Sequence, residues 1–145
     1  MILPKKEIPE NIFKESVLAH IAAAYFSVGR RLERKTQCSA TRGFILATLR
    51  DGAQLNQNQI ATLLDFDRTV VHRAIKSMVR DGLVSEKKPS SGRAIPLHLT
   101  AKGNKYREEV IKARIAADEA VQQQMSPEDR ATLLRLLQRV ADCEF

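Results

Sequence analysis

The sequence predicts a mainly α fold with one small β-hairpin, and three observations carry that expectation. Apolar residues recur at helical spacing towards both ends of the chain. Between them, residues 53–103 hold two short helical patterns three residues apart, followed by two strand-like runs joined by turn formers. Positive charge gathers in that same middle region. Together these describe a winged helix-turn-helix flanked by N- and C-terminal helices.

The central elements follow from their capping residues. Asn56 is an N-cap with Gln59 at N3, and Ile60, Ala61, Leu63 and Leu64 supply an apolar face, which predicts a helix over residues 57–64. Asp65-Phe66-Asp67 then form a tight connection, Phe66 pointing inward and Asp67 capping the next helix. In that helix Val71, Ile75 and Met78, with Ala74, make one apolar stripe. Arg68, His72 and Lys76 fall at i, i+4 and i+8 on another face, with Thr69 and Arg73 beside them. Gly82 stops the helix near Asp81. A helix glued down on one side and studded with Arg, Lys, Thr and His on the other suits a DNA groove.

Leu83-Val84-Ser85-Glu86-Lys87-Lys88 reads as a strand, Pro89-Ser90-Ser91-Gly92 as the turn, and Ala94-Ile95-Pro96-Leu97-His98-Leu99 as the returning strand. Pro96 cannot donate to a ladder, so pairing should fail there or lie at an edge. Thr100 caps the following helix. Gly103 sits one turn inside it, where a missing side chain permits close packing.

Charge sharpens the expectation. The net charge is +7, from 24 basic and 17 acidic side chains. Between Arg68 and Lys102 stand eight basic residues against two acidic ones, an excess of six that leaves one unit for the rest of the chain. Basic residues kept merely for solubility would be spread out. Charge concentrated on one module is what phosphate neutralisation requires.

These residues resemble the DNA-binding core of the MarR family of bacterial transcription regulators. Three runs carry the resemblance: Thr69-Val70-Val71-His72-Arg73, Gly82-Leu83-Val84, and Leu99-Thr100-Ala101-Lys102-Gly103. The last is specific when it follows a wing at this distance; the first two occur in many winged helices. Where the family carries Asp-Arg-Arg at the wing tip, this chain has Ser91-Gly92-Arg93, keeping only the last Arg. The resemblance implies a homodimeric DNA-binding regulator, a repressor by expectation, acting on an inverted repeat. It also implies a small-molecule effector bound between the dimer helices and the winged module. Residues near the helix junctions, such as His20, Tyr25 and Arg42, would line that site.

Arg68, Thr69, His72, Arg73 and Lys76 are therefore the expected DNA contacts of the helix, with Lys87, Lys88 and Arg93 on the wing. Ser77 and Arg80 lie further along and are expected to meet phosphate or water. The bland alternative is a solvated polar stripe. The local charge excess and the helix-turn-helix context favour DNA.

The ends read as dimerisation helices, over residues 9–36 and 104–145 of a single 145-residue domain. Pro9 stands at a first helical turn, and Phe13, Val17, Ile21, Ala24, Val28 and Leu32 mark one long amphipathic helix ending near Lys35. Ser39 caps a shorter helix holding Phe44, Ile45, Leu46 and Leu49, which stops at Asp51-Gly52. After Thr100, Tyr106, Val110, Ala113, Ala117 and Val121 line a long helix. Ser126-Pro127-Glu128-Asp129 restarts the chain into a last helix with Leu133, Leu137 and Val140 on its inner face.

Other classes find less support. The histidines His20, His72 and His98 fall in separate elements, and no phosphate loop, carboxylate pair or nucleophile elbow is present, so neither an enzyme nor a cofactor is expected. A winged helix used as a protein-interaction module would need exposed apolar surface on the second helix. Cys38 and Cys143 have no pairing or metal spacing, which suits a reducing cytoplasm. Cys38 leaves a redox-sensing alternative, since Arg34, Lys35 and Arg42 lie near it in sequence and could lower its pKa. The longest apolar run, residues 17–26, is too short to span a bilayer, and residues 1–6 lack a secretory-signal core.

Overall fold

The computed structural model describes residues 10–50, 54–86 and 95–145, with the backbone alone at residues 10–12. Helices α1 (Glu10–Glu15), α2 (Val17–Thr36) and α3 (Ala40–Thr48) lead into α4 (Gln57–Leu64) and α5 (Arg68–Arg80). Strands β1 (Val84–Glu86) and β2 (Leu97–Leu99) follow, then α6 (Ala101–Gln122) and α7 (Pro127–Ala141). The mainly α fold with a two-stranded antiparallel hairpin is the one expected.

Its core lies where α3, α4, α5, the hairpin and the start of α6 meet. Ile45, Leu46, Ile60, Val71, Ile75, Met78, Leu97 and Val110 are fully buried there. Each such side chain contributes about 1.5–3 kcal/mol by leaving water. The stripe foreseen in α5 is thus the stripe that is buried. Phe66 packs against this core from the turn, its ring edge-on to Phe44 at 5.8 Å.

Caps set the boundaries of the central helices. Asn56 and Gln59 form a reciprocal capping box at α4. Asp65 ends that helix at φ 52°, a conformation its short polar side chain tolerates. At the end of α5, Gly82 N–H donates to Val79 O and Leu83 N–H to Met78 O, a Schellman motif with Gly82 at φ 72°. The strands are shorter than the sequence reading. Leu83 is excluded because its N–H is committed to α5, and β2 begins only after Pro96, which has no N–H to give. Val84 pairs with Leu99 and Glu86 with Leu97, and Leu97 also donates to Leu55 O at 2.9 Å. The outer strand residues, Lys87, Lys88 and Ala94, and the turn residues Pro89, Ser90, Ser91 and Gly92 lie outside the described residues, as do Pro9, Asp51 and Gly52.

The ends of the chain bring two corrections. The expected single N-terminal helix is two: Ser16 leaves the helical region and accepts from Ala19 N–H, capping α2. The apolar stripe runs on through Phe13 and Val17, so the break is invisible to periodicity. The second correction concerns burial. Neither α2 nor α7 contains a buried residue, and Leu133 and Leu137 are exposed within one chain rather than turned inward. Among the described residues, no helix is long and apolar enough to cross a membrane.

Candidate nucleic-acid interface

The outer face of α5 assembles the helical residues expected from the sequence. Arg68, Thr69, His72, Arg73 and Lys76 are all exposed, opposite the buried Val71, Ile75 and Met78. Asp67 anchors the start of this face, its Oδ1 accepting from Thr69 N at 2.7 Å and Val70 N at 3.3 Å. Those two hydrogen bonds hold the Asp67 carboxyl below the usual aspartate range. Lys87, Lys88 and Arg93 fall outside the described residues.

His72 is not free-standing. Its Nδ1 lies 3.0 Å from Gln57 Oε1, and Gln57 Nε2 donates to Glu86 Oε1 at 3.1 Å. Sequence reasoning passed over Gln57 because the contact spans fifteen residues and two elements.

The far end of α5 is stitched to α3 and α6. Arg42 reaches from α3 to Ser77 Oγ and to Asp81 Oδ2, the latter at 2.6 Å. Ser77, expected to meet phosphate or water, thus accepts a hydrogen bond from Arg42 and keeps its own O–H to donate. Lys102 Nζ donates to Asp81 O at 2.9 Å, and Thr100 Oγ1 to Gly82 O at 2.6 Å. Thr100, Lys102 and Gly103 thus each have a structural task between wing and α6. Arg107 Nε completes the joint by donating to Leu46 O at 2.8 Å.

The Arg42 hydrogen bond lowers the pKa of Asp81 as the backbone does that of Asp67. A depressed carboxyl stabilises the fold above the ordinary aspartate value, 3.8, and that stability is lost as pH falls through the lowered folded value. The thermal midpoint should therefore drop more steeply below that value in the natural chain than in Asp67→Asn/Asp81→Asn. Parallel acid profiles of the two proteins would show that neither carboxylate matters to the fold.

Between α2, α3, α6 and α7 lies a cavity of about 890 Å³, with Tyr25, Leu32, Cys38, Phe44 and Arg114 among its lining residues. Of the three residues placed there by sequence position, only Tyr25 lines it. His20 Nδ1 faces Ser16 O instead, and Arg42 is spent on α5. Arg114 lies over the Phe44 ring at 4.8 Å from its centre. Cys38 is buried, and burial pushes its thiol up despite opposing pulls from the Tyr106 hydrogen bond, Arg42 and Arg114. The cations do not produce the ready thiolate that a redox sensor uses. Tyr106 donates to Gln37 O at 3.0 Å, and burial pushes its hydroxyl up to about 12.

Residues 40–94, which span α3 to the wing, match the family model described as MarR family. Over those residues the chain is similar to the MarR family. Solved structures of similar fold extend the likeness beyond the module. An S. aureus MepR–DNA complex superimposes with a TM-score of 0.80 at 18% identity, covering 87% of this chain and 96% of that one. Bordetella bronchiseptica BpsR, described with regulation of its DNA binding by 6-hydroxynicotinic acid, gives 0.77 at 19%, covering 91% and 97%. The PcaV regulator from Streptomyces coelicolor, in complex with its natural ligand, gives 0.77 at 18%, covering 90% and 95%. At these identities the likeness is one of fold. No curated protein matches the chain.

Proposed function

We propose that this chain is a sequence-specific, double-stranded-DNA-binding transcriptional regulator, a repressor, acting as a homodimer on an inverted repeat. The exposed Arg68–Lys76 face of α5, held rigid by the buried stripe behind it, is the observation that carries this reading. Solved relatives in complex with DNA or with a ligand support it. Residues 53–103 form the DNA-binding module in this reading, with residues 9–36 and 104–145 as dimerisation helices. Leu18, Phe26, Leu134 and Leu136 are more than two-fifths exposed, an apolar area on the terminal helices that a second copy would cover. The cavity beside Arg114, among α2, α3, α6 and α7, offers a small-molecule effector a place. Its binding would weaken DNA binding only through a difference in affinity for the two states.

The redox alternative through Cys38 is less well supported, because burial disfavours the thiolate. A protein-interaction use of α5 is also less well supported. Its two exposed apolar residues, Val70 and Val79, are nine positions apart and so lie on opposite sides of the helix. They make no continuous patch.

Two measurements made together test the proposal. Sedimentation should give a dimer at micromolar concentration, and a footprint should show dyad symmetry with half-sites about 10 bp apart. A monomeric mass, or protection without a dyad, removes this arrangement.

A further inference from the structure

Three side chains from three elements form one line of hydrogen bonds ending on His72: Glu86 on β1, Gln57 on α4 and the imidazole on α5. Donor and acceptor roles follow from the far end inward. A carboxylate only accepts, so Gln57 turns its NH2 towards Glu86. The Gln57 carbonyl oxygen, which also only accepts, is left facing His72, so Nδ1 carries the proton. In a neutral imidazole that leaves Nε2 as a bare acceptor. Free histidine favours the opposite tautomer, so the network reverses an intrinsic preference.

That acceptor sets His72 apart from the cations on its face, the Thr69 hydroxyl being the other group there able to accept. Arg68, Arg73 and Lys76 can only donate, which suits guanine O6 and N7. Adenine N6 and cytosine N4 present N–H groups to the major groove and need an acceptor. Arg68 and Lys76 lie one turn either side of His72, and Glu86 stands behind Gln57, so cations flank the ring and one anion backs it.

We infer that Gln57 and Glu86 are positioning residues that hold neutral His72 in its Nδ1–H form, so that Nε2 accepts a hydrogen bond from an exocyclic amino group of a base. The inference rests on the DNA-binding reading above. It assigns to His72 one specificity that its donor neighbours cannot supply.

Nitrogen-15 NMR of the full chain with labelled histidine, at about pH 8 and so above the ordinary histidine range, reads the tautomer directly. His72 should show a protonated Nδ1 and a bare Nε2. Gln57→Ala and Glu86→Gln should each move it towards the Nε2–H form; in the second, an amide no longer dictates which way Gln57 turns. His20, whose Nδ1 lies 2.8 Å from Ser16 O, serves as an internal Nδ1–H standard and should not change. Duplexes are then selected from a random pool. In the best one, each adenine is replaced in turn by purine and each cytosine by pyrimidin-2-one, which lack the amino group. At one position per half-site this should weaken the natural chain roughly three- to tenfold and leave His72→Ala insensitive. An Nε2–H tautomer in the natural chain, or equal responses of natural chain and His72→Ala to every analogue, overturns the inference while DNA binding stands. Failure to select any duplex overturns it together with the reading beneath it.

Discussion

Gly103→Ala should cost about 3 kcal/mol or more of unfolding free energy, the high end for an overpacked site. The added Cβ would stand 1.9 Å from Leu83 O and 2.8 Å from Leu83 C. Neither atom is the end of a side chain that could swing aside. Leu83 is itself held at both ends of its peptide groups, its N–H on Met78 O and its O by Thr100 N–H. Moving it would pull on the cap of α5 and on the root of the wing together. The control is Gly29→Ala, in the middle of α2, where nothing lies within 4 Å of the new methyl group. There the change removes backbone entropy from the unfolded chain and should stabilise by about 0.5–1 kcal/mol. Urea unfolding of both variants checks the pair. A Gly103→Ala protein within about 1 kcal/mol of the natural chain would mean that the α6–wing joint is looser than this geometry.

The contrast between those glycines shows what kind of information the sequence carried. Gly103 was marked for close packing because it follows a capping Thr100 by three residues, a local pattern. Local patterns also placed α4, α5 and α7: Asn56 with Gln59, Asp67 with Gly82, and Ser126 before Pro127 each act within a few residues. The buried stripe of α5 was legible because one face of a helix needs only periodicity. Ser16 was not, since capping there competes with an amphipathic pattern that continues across it. Contacts across long separations were also hidden. Arg42 was read as a ligand-site or thiol-tuning cation, yet it meets Asp81, thirty-nine residues on. Gln57 looked like an ordinary first-turn residue until the fold brought β1 and α5 to its two ends. The exposed leucines of α7 had the right period for an inner face, but periodicity does not say whether the covering surface belongs to the same chain.

Arg73→Ala should lower affinity for the selected operator roughly five- to 150-fold, the range for losing a base-reading arginine, while leaving the fold intact. Its position on the helix sets it apart from Arg68 and Lys76, which flank His72. Arg73 lies on the outer face of α5, one turn after Thr69, away from the hydrogen-bonded flank where His72 meets Gln57. It is also exposed, with no salt bridge among the described residues, so removing it leaves no buried partner unpaired. A guanidinium presented to guanine O6 and N7 discriminates between bases, so the variant should lose preference as well as strength. Lys87→Ala and Lys88→Ala should act differently if those residues meet phosphate. Their affinity should fall by a similar factor on every sequence, and the slope of log K against log salt should become shallower by about one unit each. Binding isotherms on matched and scrambled duplexes over a range of salt separate the two behaviours. If Arg73→Ala weakened both duplexes equally and changed the salt slope as the wing lysines do, α5 would be lying along the backbone instead of in the groove.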